Sequence, residues 1–370
     1  MPILHPSRRR AGHRIAATVA LTALLLVGHA PGAVGAANDA ARDAGESAAG
    51  AGGAAAGAGD PAYEAILGET YADLPGNAGT IDLYLPVKAR RRVPVVMWTA
   101  GSAWMADNGN DEGAYWAERL VPKGYAVAAY AVRSSSQATF PAQIHDAKAA
   151  VRWVRAHARE YGLDPYRIAA MGNSSGGHVS SLLGTTGDVP ALEGNVGVTG
   201  PSSRVRAVID FFGPTDFLQM DAQMLPGACD FFNDLLGIED CHNDVASPES
   251  RLVGCAIQTC PDEVAAANPI TYVSKRDAPF LILHGTADQL VPHGQSQLLF
   301  NALARACVDA TFYSMVGRGH EYDYIDEQGP FTDRIRQRTR HCKPVAGGRG
   351  RPATVDLLER FLDRTLDGWR

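Results

Sequence analysis

The feature that most constrains the fold is a regular alternation of short apolar runs with longer amphipathic segments. Residues 93–98 (VPVVMW) and 125–132 (YAVAAYAV) are continuously apolar, as strands buried on both faces of a sheet are. Residues 141–162 follow, and their apolar side chains recur at steps of three and four, which predicts a helix. A third apolar run comes next, at 167–172. This alternation predicts an α/β fold with a doubly wound, mostly parallel sheet.

Further segments extend the pattern toward both ends of the chain. An alternating run at 80–86 predicts an outer strand, and an amphipathic run at about 353–366 predicts a final helix. The rhythm breaks at about 215–268, a loop-rich segment with four of the six cysteines, which we predict to be a cap over the pocket. The other predicted elements are helices at 113–124, from 176 onward and at 293–306, and strands at 205–214, 279–285 and 309–317.

Residues 1–60 are not expected to belong to the fold. Residues 1–36 have the order of a secretory signal peptide: a leader with four arginines, an apolar run at 15–27, and small residues up to Ala36. The run is short for a bilayer span, and no later stretch stays apolar for long enough to form one. We therefore expect a secreted, extracellular protein, with twin-arginine transport as an alternative to the general secretory route. Residues 37–60 are nearly all Ala and Gly, which predicts a flexible linker.

Residues 61–370 have the length of one large α/β domain, and they contain no internal repeat. The whole chain has 34 basic and 40 acidic residues; without the four arginines of the leader, 30 basic residues face 40 acidic ones, a net charge of −10. Because phosphate recognition needs clustered Lys and Arg, this acidic balance argues against a nucleic-acid partner. The sequence leaves the oligomeric state open.

All six cysteines lie in the second half of the chain. An even number of cysteines in an exported chain indicates disulfide bonds. A zinc site would need paired Cys-x-x-Cys spacing with nearby histidines, which the chain lacks, so we predict no metal. Proximity along the chain favours the pairs Cys229–Cys241 and Cys255–Cys260, which leaves Cys307–Cys342.

Three residues with catalytic chemistry each follow a predicted strand. Ser174 stands in a Gly-x-Ser-x-Gly frame between a buried strand and a helix, where a nucleophile elbow needs small residues beside the serine. Asp288 and His320 follow two later strands. Taken alone, the aspartate is typical of a turn and the histidine of a surface. Their order along the chain is that of a Ser-Asp-His triad, so we predict Ser174 as nucleophile, His320 as base and Asp288 as the acid that orients it.

Acyl transfer also needs backbone N–H groups that stabilise the negative charge on the carbonyl oxygen. One donor should be the N–H of Ser175, directly after the nucleophile. The other should come from the loop after the strand at 93–98, which contains Gly101, Ser102 and Ala103. Within this loop we expect the N–H of Ser102, with Ala103 as the alternative. Trp104 comes next and either lines the substrate pocket or packs under the loop.

From about Tyr71 to the C-terminus the chain resembles secreted serine esterases of the α/β-hydrolase fold. The segments GNSSGGH, DPYRIAAMG, VIDFFGPTD, ANPITYVS, PFLILHGTADQLVP and GRGH carry this resemblance, which is strongest to hormone-sensitive-lipase-like carboxylesterases and bifunctional acetylxylan/feruloyl esterases. The resemblance implies the triad roles given above for Ser174, Asp288 and His320. The chain departs from these families at Ala100, where relatives usually carry the histidine of a His-Gly-Gly motif.

The residues and the resemblance together predict a serine hydrolase that cleaves carboxylic esters through an acyl-enzyme and needs no cofactor. The expected substrate is a short-chain acyl ester, or an aryl or carbohydrate ester, of a small molecule or on a polysaccharide. One alternative is a prolyl-oligopeptidase-like serine peptidase, although the chain has no room for the propeller domain usual in those enzymes. Another is a binding protein that has kept the fold and lost the activity, which the intact Ser, Asp and His argue against.

Overall fold

The computed structural model describes residues 63–87, 89, 91–326 and 333–367, and ten strands within these ranges form one sheet. The predicted signal peptide (1–36) and linker (37–60) lie outside the described residues. In chain order the strands are β1 (Tyr63–Thr70), β2 (Thr80–Pro86), β3 (Val93–Thr99), β4 (Ala126–Tyr130), β5 (Leu163–Asn173), β6 (Ala207–Phe211), β7 (Phe280–Gly285), β8 (Ala310–Met315), β9 (Arg334–Arg340) and β10 (Lys343–Ala346).

The strand order across the sheet is β1-β2-β4-β3-β5-β6-β7-β8-β9-β10. The strands from β4 to β8 in this order pair in parallel, whereas β1 and β2 at one edge and β9 and β10 at the other pair antiparallel. Every residue of β3, β4, β6 and β7 is buried, as their continuous apolar runs predict. The mostly parallel sheet predicted from the sequence is therefore confirmed.

Helices cover both faces of the sheet. The helices α2, α3 and α8 bury apolar side chains against one face, and α1 and α9 bury theirs against the other. Within the described ranges, no helix has both the length and the apolar character that a bilayer span requires. The bounds are α1 (Gly113–Leu120), α2 (Ala142–His157), α3 (Ser175–Thr185), α4 (Met220–Gln223), α5 (Ala228–Leu236), α6 (Pro248–Val253), α7 (Pro261–Ala267), α8 (Gly294–Arg305) and α9 (Val355–Leu366).

The segment between β6 and β7, residues 212–279, is more helical than the loop-rich cap expected at 215–268, since it contains α4 to α7. Helices of this length show no periodicity that a sequence reading can detect. Their ends carry clearer signals, as at Ser247, whose side chain accepts a hydrogen bond from the first turn of α6. In this cap segment Phe217 packs against Trp104, so the segment lies over the loop that follows β3.

Three disulfide bonds join the six cysteines in the pairs expected from the sequence. Two of them close short loops within the cap segment, whose helices are too short to build a core of their own. The third ties the end of α8 to the turn between β9 and β10. The pairs are Cys229–Cys241, Cys255–Cys260 and Cys307–Cys342.

The edge strands β1, β9 and β10 were not predicted. In β9 the alternation that marks a strand is inverted, because Ile335 faces outward at 54% exposure while Arg334 is only 7% exposed. This strand nevertheless pairs with β8, whose edge offers unpaired N–H and C=O groups. Residues 334–340 therefore form a strand because their backbone pairs with β8, and not because polar and apolar side chains alternate along them.

Candidate active site

Ser174 occupies a strained turn between β5 and α3. Its backbone angles are φ 53° and ψ −126°, in a region that residues other than glycine rarely adopt. The turn is held on both sides, because the Ser174 N–H donates to the carbonyl of Phe211 at 2.9 Å and its carbonyl accepts from the N–H of His178 at 3.0 Å. This is the strand-to-helix elbow that the sequence predicts.

Gly172 and Gly176, on either side of the elbow, lie too close to neighbouring backbone for a side chain to fit. A Cβ added to Gly172 would lie 2.4 Å from the carbonyl oxygen of Gly176. A Cβ added to Gly176 would lie 2.0 Å from the carbonyl oxygen of Thr99 at the end of β3. Either side chain would force the elbow away from the neighbouring strand, so the close packing that raises Ser174 depends on both glycines.

Asp288 is a buried carboxylate that accepts hydrogen bonds at both oxygens. Its Oδ1 accepts from the backbone N–H groups of Leu290 and Val291 at 2.8 and 2.9 Å, and its Oδ2 lies 2.8 Å from His320 Nδ1. Burial raises the pKa of Asp288, but the charge of His320 and the hydrogen bonds from His284 and His320 outweigh burial and hold this pKa well below its usual range. Asp288 is therefore ionised, and it fixes His320 with Nε2 directed away from it.

A second histidine, which the sequence analysis did not single out, also binds Asp288. His284 Nε2 lies 3.1 Å from Asp288 Oδ2 and 2.9 Å from the carbonyl oxygen of Val291, and its Nδ1 lies 2.8 Å from Ser296 Oγ. Both neighbours of Nε2 are acceptors, so Nε2 carries the proton and Ser296 donates to Nδ1. The sequence does carry a signal for His284: it lies at the end of the buried strand β7, four residues before Asp288, which is in the loop after that strand.

The fold brings Ser174 and His320 to the same end of the sheet, where the parallel strands have their carboxyl ends. The strands β5, β6, β7 and β8 are parallel neighbours, so their carboxyl ends carry the elbow, the Asp288 loop and the His320 loop side by side. Phe212 follows β6 and packs its ring 4.4 Å from that of His320, measured between centroids. Neither Ser174 Oγ nor His320 Nε2 forms a hydrogen bond with any described residue. Catalytic hydrogen bonds often tighten only when substrate binds.

The loop after β3 lies directly against the elbow, but two of its N–H groups are already used. Gly101 donates to Asn173 Oδ1 and Ser102 donates to Ser175 Oγ, both at 2.8 Å. The N–H groups of Ser175 and Ala103 have no acceptor among the described residues. Ser175 also begins α3, where the helix dipole favours a developing negative charge. Of the residues expected to stabilise the oxyanion, Ser175 and Ala103 are thus the two whose N–H groups are available.

Trp104 is buried under the cap segment. Its ring packs against those of His178 and Phe217, with centroid distances of 5.1 and 5.5 Å. His178 Nε2 lies 2.8 Å from the carbonyl oxygen of Ala267 and therefore donates, and burial lowers the pKa of His178 to about 4. His178 is thus a neutral packing residue at neutral pH, and it connects the helix after the elbow to the cap segment.

Side chains of the types that bind metals also occur in the cap segment. Their cysteine sulfurs are joined in disulfide bonds, so none is a free thiolate. The two ring nitrogens of His242 already face acceptors, Asp221 Oδ1 at 2.7 Å and the carbonyl oxygen of Leu290 at 3.0 Å. Two clusters of such side chains occur: one contains Asp221, Cys241 and His242, and the other contains Cys255, Cys260 and Glu263. In both clusters the sulfur atoms are already bonded, and in the first the histidine nitrogens are also already paired.

An elbow serine, a buried aspartate hydrogen-bonded to a histidine, and a mostly parallel sheet covered by helices are the features of serine hydrolases with an α/β fold. The chain belongs to the BD-FAE family, which it matches over residues 81–303. The matched range contains Ser174 and Asp288 and ends before His320. The resemblance to carboxylesterases seen in the sequence motifs is confirmed by this match and by the relatives of the chain.

Curated relatives of the chain are named as ester hydrolases. The probable carboxylic ester hydrolase LipM of Mycobacterium tuberculosis (strain ATCC 25618 / H37Rv) is 29% identical over 269 residues, which are 73% of this chain and 54% of that protein. Esterase LipQ of the same organism is 29% identical over 233 residues, 62% of this chain and 50% of that protein. The chain therefore spans about half the length of the curated relatives it matches.

Solved structures of esterases share the fold. A truncated carbohydrate esterase from gut microbiota is 34% identical, with a TM-score of 0.62 over 71% of this chain and 91% of that chain. An esterase of Thermogutta terrifontis with bound propionate is 25% identical, with a TM-score of 0.52 over 70% of this chain and 85% of that chain. The esterase fold thus extends over most of the described residues.

Proposed function

We propose that this protein is a serine esterase that cleaves carboxylic esters through an acyl-enzyme. The observation that carries the proposal is the elbow at Ser174 together with the hydrogen-bonded pair of His320 and the buried Asp288, on the carboxyl ends of parallel strands. The family and the names of the relatives favour an esterase over the peptidase and the binding protein considered above.

In the proposed reaction His320 Nε2 takes the proton of Ser174 while Ser174 Oγ attacks the ester carbonyl carbon. The carbonyl oxygen becomes negative and accepts hydrogen bonds from the N–H groups of Ser175 and Ala103. When the intermediate collapses, the C–O bond to the alcohol breaks and the alcohol leaves with the proton from His320. Water then repeats the sequence on the acyl-enzyme, releasing the acid and restoring Ser174. The ionised Asp288 stabilises the imidazolium that forms in each step.

We propose a short acyl group carried on a carbohydrate as the substrate class. Two solved relatives support this choice, one titled a carbohydrate esterase and one with bound propionate, a three-carbon acid. The aromatic packing of Trp104 against Phe217 and His178 also supports it, because this side of the loop is filled by rings that pack against each other. A long acyl chain would have to separate these rings.

We also propose that the protein acts outside the cell. The support is the predicted signal peptide together with three disulfide bonds, which persist in oxidising compartments. Mass spectrometry of the protein recovered from the culture medium of an expressing bacterium tests this directly. A mature N-terminus after Ala36 and no free thiols would agree, and retention inside the cell with reduced cysteines would contradict it.

The test of the activity is hydrolysis of p-nitrophenyl esters from acetate to palmitate by the wild type, Ser174→Ala and the surface control Ser202→Ala. We expect rapid turnover of the short esters that is lost by at least about 10³-fold in Ser174→Ala and unchanged in Ser202→Ala. A fluorophosphonate should label Ser174 only. Turnover that survives in Ser174→Ala, or label on another serine, would refute the assignment.

A further inference from the structure

A cavity of about 600 Å³ lies at the end of the sheet opposite Ser174. It lies at the amino ends of β5, β6 and β7, where α2 also ends. Tyr166 lies near the start of β5, and Ser174 follows the last residue of β5, so the two residues lie toward opposite ends of this strand. The cavity is therefore separate from the proposed active site. We call it the arginine cavity after the four arginines that line it with Tyr166: Arg155, Arg204, Arg206 and Arg276.

Positive charge is concentrated in the lining of the arginine cavity. None of its lining residues is acidic. Arg204 and Arg276 share a single carboxylate, that of Asp188, with Arg276 Nε 3.1 Å from Asp188 Oδ2 and Arg204 bonded to the other oxygen. These two guanidinium groups thus share the carboxylate of Asp188, and the charge of Arg204 also acts on the nearby carboxyl of Asp277. This concentration of positive charge stands out because the whole chain has a net charge of −6.

The other two arginines form no ion pair with a carboxylate of the described residues, although the charge of Glu193 also acts on Arg155. Arg155 donates from Nε to the carbonyl of Pro165 and from Nη2 to the carbonyl of Arg204, both at 2.8 Å, while its buried Nη1 has no partner. The guanidinium of Arg206 forms no hydrogen bond or ion pair with any described residue. Burial and, next, the charge of Arg206 lower the pKa of Arg155, so the two cations lie near each other. Two neighbouring cations with free donors are a site that an anion would stabilise.

The shape of the cavity indicates what kind of anion fits. Its volume lies within the range of small-molecule sites, about 300–1,000 Å³, so it is larger than an inorganic ion requires. Guanidinium groups bind carboxylates through paired, parallel hydrogen bonds. The ring of Tyr166 is 71% exposed beside them and offers a flat apolar face with a hydroxyl at its tip. A sugar ring can lie on such a face while a carboxylate on that ring reaches the arginines.

We propose that the arginine cavity is a second binding site, which takes a carboxylate-bearing sugar through Arg206 and Arg155 with Tyr166 beneath the ring. The site goes beyond the proposed esterase function and does not depend on it. Its distance from Ser174 means that a sugar bound there would not itself be hydrolysed. The chemistry would anchor an acidic saccharide to the face of the enzyme opposite the nucleophile.

The test is isothermal titration calorimetry of the full-length protein with trigalacturonate, neutral galactotriose and inorganic sulfate at low salt. Arg206→Gln is the informative variant because this guanidinium has no partner to lose, so the unfolding temperature should stay the same or rise. The matched control is Arg360→Gln, which removes the same charge from α9, where Arg360 pairs loosely with Asp356 at 3.7 Å. Ser174→Ala is titrated in parallel to separate this site from the active site.

We expect trigalacturonate to bind wild type, Arg360→Gln and Ser174→Ala within twofold of one another. Arg206→Gln should weaken binding at least tenfold, and Tyr166→Ala at least fivefold without a change in sulfate binding. Equal binding by Arg206→Gln would overturn the site. Galactotriose binding as tightly as trigalacturonate would overturn the role of the carboxylate, and sulfate binding as tightly would overturn the role of the sugar. Loss of esterase activity in Ser174→Ala with trigalacturonate binding unchanged would support both proposals separately.

Discussion

Replacement of His284 by phenylalanine tests whether this histidine positions the acid of the proposed triad. The change keeps a planar ring of similar size in the buried strand β7 and removes both ring nitrogens. Asp288 Oδ2 then loses its bond from Nε2 at 3.1 Å, and the Val291 carbonyl loses its donor at 2.9 Å. The hydroxyl of Ser296 loses the acceptor that lies 2.8 Å away. Asp288 keeps His320 and two backbone N–H groups and so remains ionised.

The expected magnitudes follow from these losses. A buried polar group left without a partner costs about 1–3 kcal/mol, and the variant leaves two, the Val291 carbonyl and the Ser296 hydroxyl. We therefore expect the free energy of unfolding to fall by about 2–6 kcal/mol. The lost bond to the Asp288 carboxylate, about 1.5 kcal/mol, corresponds to roughly a tenfold fall in kcat because the orientation of His320 becomes less restricted. KM should change little, because His284 is buried behind Asp288.

The assay combines urea unfolding with kcat and KM for p-nitrophenyl acetate in four variants. These are His284→Phe, Ser296→Ala, the double variant, and His284→Gln, whose amide restores a donor. The double variant should lose less stability than the sum of the single ones, because the hydroxyl stranded by the first change is then absent. His284→Gln should recover most of kcat. A His284→Phe protein with kcat within twofold of the wild type and unchanged stability would refute the positioning role.

Three further outcomes follow from contacts around the site. Asn173→Ala should lower kcat about tenfold, because Asn173 Oδ1 accepts the hydrogen bond from the Gly101 N–H that holds this loop against the elbow. Asn173→Asp keeps an acceptor oxygen, so a loss of kcat in Asn173→Asp equal to that in Asn173→Ala would contradict this explanation. The pKa of His178 is about 4, below its ordinary 6.5, so the unfolded state binds more protons and stability falls as the pH drops between these values. When the free energy of unfolding is measured by urea at several pH values in this range, it should depend less steeply on pH in His178→Gln than in the wild type. An equally steep dependence on pH would argue against a buried neutral imidazole. Replacing Cys229 and Cys241 together by serine should lower the free energy of unfolding by about 3 kcal/mol, since the bond closes a loop of 12 residues; no change in urea midpoint would contradict that.

The parts of the site that lie close together in the chain could be predicted from the sequence. The elbow at Ser174 needs only its flanking glycines and a strand and helix on either side, and all of these are visible within about a dozen residues. Buried parallel strands are continuously apolar, so their runs were also visible. Once the strands were placed, Asp288 and His320 followed, because reactive groups gather at the carboxyl ends of parallel strands.

Features that depend on contacts between distant segments could not be predicted. The Ser102 N–H was expected to face the substrate, and its acceptor, Ser175 Oγ, is 73 residues further along the chain. The second bond on Asp288 requires His284 to be turned inward, which Ser296 in α8 and the Val291 carbonyl decide. The helices of the cap segment were too short to leave a periodic pattern, and disulfide bonds and packing against the elbow hold them in place.

The sequence by itself determined the kind of fold, the nucleophile elbow and the order of the Ser, Asp and His, because each depends on the local polarity and size of side chains. The tertiary structure decided which N–H groups near Ser174 already have acceptors, which second histidine contacts Asp288, and that four arginines from α2 and two later loops line one cavity. These properties come from distances between groups far apart in the chain. Such distances are set by how the helices and loops pack on the sheet, which no single stretch of sequence encodes.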